Sequence, residues 1–133
     1  MDKLLRQKLR VVREKLTRWQ KPMGLLWWRI TVHYYDDPVQ VLRIFGCVEG
    51  DRIVPAITTA DWVYGIATVS VNMLAVAKMD DTEIEAMVVH ELCHILVNEM
   101  RENEIHHEER VVTGLQRAFM WAREAGEKIG WVR

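Results

Sequence analysis

Between Glu83 and Met100 apolar side chains point to nearly every side of what their spacing makes an α-helix. Ile84, Met87, Val88, Leu92, Ile95 and Leu96 recur three or four apart as the main stripe, and Val89, Cys93 and Val97 widen it. A stripe this broad predicts a helix enclosed by the rest of the chain. Asp80-Asp81 introduces it, Thr82 and Glu85 have the spacing of a capping box, and acids in the first turn suit the helix dipole. Yet His90, Glu91 and His94 sit in the middle of the same segment. A buried polar group without a partner costs about 1–3 kcal/mol, more if charged. Three of them on one buried helix need partners.

The remaining segments are arranged as one helix, then strands, then two helices. Leu5, Leu9, Val12, Leu16 and Trp19 recur at helical spacing among Lys and Arg over residues 2–20, and Lys21-Pro22-Met23-Gly24 ends that helix. Leu25 to Tyr35 is dense in Trp, Ile, Val and Tyr and closes at Asp36-Asp37-Pro38, as a strand and turn would. Val39 to Val48 fits either a strand or a short helix. Residues 53–62 and 66–76, on either side of Tyr64-Gly65, suggest a hairpin or two consecutive strands. A final helix is expected from His107 to Lys128, with Val111, Val112, Leu115, Ala118, Phe119 and Ala122 along one side. The expected class is α+β: an N-terminal helix, a small, twisted, mostly antiparallel sheet, and two closing helices.

With 133 residues, half of them hydrophobic, residues 1–133 can form a single domain around one core. A formal net charge of -1 supplies no global field for nucleic acid or an anionic membrane. Arg6, Lys8, Arg10, Arg13, Lys15 and Arg18 crowd the first helix, but Asp2 and Glu14 share it, and a solvated charged face is the favoured reading. No apolar run reaches the roughly 18 residues of a membrane span, and no secretory signal is visible. Cys47 and Cys93 are the only cysteines and fall in different kinds of element, so a disulfide framework is not expected and a reducing cytoplasm is.

The chemistry is concentrated in His90-Glu91-Leu92-Cys93-His94, an H-E-x-x-H motif. Helical positions i and i+4 lie about one turn apart on the same face, so both imidazoles can meet one tetrahedral metal ion, and imidazole with carboxylate favours Zn²⁺. Glu91, about 100° round the helix, can reach a water on that metal as a general base without taking a ligand position. A catalytic zinc needs a third protein ligand and an open fourth position. Candidates are His106, His107, Glu108 and Glu109 at the start of the last helix, which can fold back antiparallel beside His94; Glu109 is preferred. His106 and His107 are also candidates to donate to a developing oxyanion, and Thr113 to make a hydrogen bond behind a ligand.

His90-Glu91-Leu92-Cys93-His94 together with Glu108-Glu109-Arg110-Val111-Val112-Thr113 resembles the short gluzincin-like metallopeptidases, especially small zinc peptidases encoded by bacteriophages and prophages. The likeness covers roughly residues 55–125, and its specific part is the first motif. It implies a minimal zincin-like fold acting on a peptide or protein substrate, with an edge strand upstream of the motif pairing with the peptide; by position that strand is Gly65 to Met73. Larger members carry a downstream Tyr or His for the oxyanion and often an Asp that orients a ligand histidine, whereas this chain has no His, Tyr or Asp after Glu109. His106, His107 or Tyr64 would have to substitute. Two competing readings are a non-catalytic, zinc-stabilised protein-binding module of phage or prophage origin, and a metal-free interaction protein using Trp27, Trp28, Trp62 and Trp131.

Overall fold

The computed structural model describes residues 1–46, 54–98 and 107–129. They form five helices and a three-stranded mixed sheet, an α+β arrangement: α1 (Lys3–Gln20), β1 (Arg29–Tyr35), α2 (Pro38–Phe45), β2 (Ala56–Asp61), β3 (Ile66–Asn72), α3 (Met73–Val76), α4 (Asp81–Asn98) and α5 (Glu108–Ile129). Among the described residues no helix is long and apolar enough to cross a membrane.

α4 is the enclosed helix that its composition demands. Ile84, Val89, Leu92, Cys93 and Ile95 are fully buried, and Glu85, Glu91 and His94 are buried with them. Its capping box lies two residues before the expected one: the Asp80 carboxylate accepts from Glu83 N at 2.8 Å, and Asp80 N donates to the Glu83 carboxylate at 3.2 Å. Asp is as good an N-cap as Thr, and the hydrogen bonds decide between the two registers.

Three elements cover α4. Leu9, Val12, Leu16 and Trp19 of α1 join the core, as does Val112 of α5, against which Leu115 and Phe119 pack. The third cover is the sheet. Its register sets Ile30, Val32 and Tyr34 of β1 level with Ala67, Val69 and Val71 of β3 and with Ala60, Thr58 and Ala56 of β2. This row faces the helices, because side chains two apart on a strand share a face and most of these residues belong to the core or pack on it. α1, α4 and α5 are also tied by charge. Glu85 of α4 lies 3.2 Å from Lys15 Nζ, 3.8 Å from Arg18 Nη1 and 3.9 Å from Arg123 Nε, and the Arg123 guanidinium stands over the Trp19 ring.

The sheet is mixed rather than mostly antiparallel. Its order is β1-β3-β2; β2 pairs antiparallel with β3 through the hairpin around Tyr64-Gly65, and β1 pairs parallel with β3. The physical reason is the segment after β1. Asp37 caps it, Pro38 occupies its first turn, and Gly46 ends it at φ 78 with its N–H donating to Leu42 O, so the chain makes a short helix where a tight turn would have set the next strand directly beside β1. β2 runs antiparallel to β1 but one position away, and β3, returning through the hairpin, fills the place between them parallel to β1. The arrangement also makes β3 the central strand. The expectation that residues 65–73 form a peptide-pairing edge is therefore overturned, since both sides of β3 are occupied.

β3 is also shorter than expected and ends at Asn72, where residues 73–76 turn into α3. The buried Asn72 side chain makes that turn: its carbonyl accepts from Leu74 N and Ala75 N, and its amide donates to Val54 O at the entrance to β2. Asn72→Ala is expected to cost about 2–3 kcal/mol in urea unfolding, one lost cap plus an unpaired buried carbonyl, and Asn72→Asp, which keeps the cap, about half that. Equal losses for both variants would show that the cap contributes nothing.

Candidate metal centre

His90 and His94 project one turn apart from the side of α4 that faces α5, with ring centroids 5.1 Å apart and planes at 72°. The first turn of α5 comes to meet them. Glu109 Oε2 lies 3.2 Å from His90 Nε2, and Glu109 Oε1 lies 2.8 Å from His94 Nε2. The other ring nitrogens are held as well, His90 Nδ1 by Gln116 Oε1 at 2.8 Å and His94 Nδ1 by Glu108 Oε2 at 2.7 Å.

This pattern fits a cation. A neutral imidazole offers one N–H and one lone pair, yet both nitrogens of His94 face carboxylate oxygens at hydrogen-bond distance. With Nδ1–H donated to Glu108, the second ring nitrogen can meet Glu109 either as another N–H donor or across a cation, so the arrangement is one that can hold positive charge. Two Nε2 atoms and one carboxylate are a donor set typical of Zn²⁺. Bonds of 2.0–2.2 Å at tetrahedral angles put ligand atoms about 3.3–3.5 Å apart, so Glu109 would retreat by about half an ångström. It can, because its side chain is 74% exposed.

Glu91 occupies a different position. Its ligand atoms and those of His90 and His94 lie within 4.8 Å of one another, but its Oε1 accepts a 3.0 Å hydrogen bond from the Thr58 hydroxyl of β2, which turns the carboxylate toward the sheet. Burial, opposed by that bond and assisted by the nearby Glu109 carboxylate, raises its pKa from 4.5 to about 8. Thr58, Gln116 and the Glu108 contact to His94 are the parts that reading the residues missed. Gln116 was within reach of helical periodicity, two turns beyond Glu109 on the same face. Thr58 was not, because nothing local says which strand faces α4.

A cleft of about 770 Å³ contains these groups. β2 and its approach form one wall from Val54 to Thr58, and Met79, Ala86 and Met87 add apolar surface. Its charged residues are all acidic: Glu83, Glu91, Glu108 and Glu109. Cys93, one position from both His94 and the Glu91–Leu92 pair, takes no part; it is fully buried, and burial, with Glu91 adding to it, pushes its thiol up to about 12.

Of the other expected site residues, His107 is exposed at the start of α5 with a left-handed φ of 56, and its carbonyl accepts from Val111 N. His106, Cys47 and Trp131 lie outside the described residues. Tyr64 stands exposed at the tip of the β2–β3 hairpin and does not line the cleft. Of the tryptophans expected to form a contact surface, Trp27 and Trp62 are exposed and Trp28 is buried. No protein-family model, curated protein or solved structure matches this chain.

The pH dependence of the metal-free protein tests the placement of Glu91. A carboxyl raised from 4.5 to about 8 holds its proton in the folded chain over a range where the unfolded chain has released it. The associated stability is complete below about 4.5 and is lost as pH rises toward 8. Urea unfolding with chelator at pH 5 and pH 8 should therefore show a steeper loss for the native sequence than for Glu91→Gln. Identical losses would contradict the buried, proton-binding carboxyl.

Proposed function

We propose that the chain is a zinc-dependent metallopeptidase of the gluzincin-like type, holding Zn²⁺ on His90, His94 and Glu109 and hydrolysing peptide bonds with Glu91 as general base. The observation that carries this reading is the approach of one α5 carboxylate to both Nε2 atoms of the H-E-x-x-H helix. When bound, Zn²⁺ lowers the pKa of water toward about 7 and polarises a carbonyl oxygen.

The protein's own residues supply the rest. Gln116 and Glu108 fix the two imidazole rings through their Nδ1 atoms, so both Nε2 lone pairs point one way without further loss of side-chain freedom. Glu91 takes the proton from the attacking water and returns it to the leaving amine. Thr58 holds that carboxylate beside the reacting position. β2 takes over the substrate-pairing role from residues 65–73: it is an edge of the sheet, and its Ala56–Thr58 stretch lines the cleft. An extended peptide laid along it would gain backbone hydrogen bonds with little sequence selection.

One observation favours the alternative, a zinc-stabilised binding module without catalysis. Among the described residues lining the cleft there is no Tyr, Lys or Arg, so oxyanion donation rests on Thr58, Gln116 or an imidazole.

The two readings separate on Glu91→Gln. For the peptidase, metal content by elemental analysis stays at one zinc per chain, while kcat on quenched fluorescent peptides falls at least about 100-fold, the usual worth of a general base. His90→Ala should lose the metal and, with it, stability. A zinc-loaded native protein that cleaves no peptide, or a Glu91→Gln variant that cleaves as well as the native one, rules out the proposed mechanism.

A further inference from the structure

The fold divides the basic residues of α1 that follow Lys3 into two sets. Lys8 Nζ donates to Met79 O, and Lys15 and Arg18 face the buried Glu85. Arg6, Arg10 and Arg13 meet no carboxylate among the described residues. Spaced four and then three residues apart, they share one side of the helix at intervals of about 6 Å and 4.5 Å along its axis. With Leu9, Glu14, Tyr34 and Arg18, which reaches both ways, they line a groove of about 730 Å³, built from elements other than those of the candidate metal centre.

Tyr34, the one sheet residue in its lining, brings β1 to this groove. β1 is an edge strand; β3 takes the hydrogen bonds on one side of it, and among the described residues no backbone group pairs with the other. Tyr34 contributes to the groove because the register opposite Val71 turns it toward the helices, at the end of the row begun by Ile30 and Val32. An uncovered edge is a template for another strand. Cations beside it repel a second copy of themselves, so the same arginines that deter self-pairing select an acidic strand.

We propose that this groove binds an extended acidic segment of a partner protein, which adds to the free edge of β1 and presents carboxylates to Arg6, Arg10 and Arg13. Side chains on one face of an added strand repeat about every 6.8 Å, close to the 6 Å rise between Arg6 and Arg10, and arginine pairs carboxylates in bidentate fashion. The free strand edge decides the class of ligand. Phosphates could also satisfy the arginines, but a nucleic acid has no amide backbone to use the edge, and Glu14 within the groove opposes a continuous anionic strand.

The test is fluorescence anisotropy with the full chain and four labelled probes: a peptide alternating Glu with Val or Thr, the same peptide with Gln for Glu, the acidic peptide N-methylated at alternate amides, and an oligothymidylate of equal charge. The acidic peptide should bind, more weakly as salt rises, and both modified peptides should lose affinity by about tenfold or more. Arg10→Glu should reproduce that loss, and Arg117→Glu, on the exposed side of α5, should not. The peptide-side changes need no variant protein, so a folding defect in Arg10→Glu cannot mask the result. Equal binding of the acidic and Gln peptides, undiminished binding of the N-methylated one, or tighter binding of the oligonucleotide would each overturn the proposal. None of these outcomes depends on zinc or on hydrolysis.

Discussion

A single carboxylate on α5 faces two imidazole nitrogens on α4, and the neighbouring structure is organised around that meeting. It requires α4 to be buried deeply enough for its polar groups to find partners within the protein. It also requires α5 to return alongside α4, so that Glu108, Glu109 and Gln116 arrive from the same side. The Glu85 cluster and the Trp19–Phe119 contact brace this pairing from α1. Buried ion pairs contribute little net stability, because desolvation offsets their attraction. Their service here is to specify how the three helices sit.

The electrostatics of the cleft follow from the same packing. Three carboxylates gather around two imidazoles in a partly dry space, which is unfavourable unless positive charge joins them. Thr58 lowers the tension at Glu91 only in part, and burial still leaves that group holding its proton into the neutral range. A divalent cation would relieve the repulsion at Glu108 and Glu109 and draw Glu91 toward its ionised form.

The sheet offers two edges that differ in charge. β2 borders the acidic cleft of the candidate metal centre, and β1 adds Tyr34 to a groove lined by four arginines. A small three-stranded sheet can leave both edges open only if something deters promiscuous pairing, and opposite charge on the two sides does so while making each selective.

The sequence alone determined the elements whose signals are local. Helical periodicity located α1, α4 and α5 to within a few residues, and the i, i+4 spacing of His90 and His94 put both imidazoles on one face of a buried helix. That Glu109 comes up beside both imidazoles needed only a short connection and an antiparallel return. Tertiary structure decided everything that depends on which strands meet. β1 runs parallel to β3, β3 is central rather than an edge, and Thr58 of β2 is the residue that reaches Glu91, because strand order is set by long-range burial that no local pattern encodes. The short helix after β1, which stands where a tight turn would have paired β2 directly with β1, had its cap, proline and glycine in plain view, but eight residues bear too few apolar positions for periodicity to separate helix from strand.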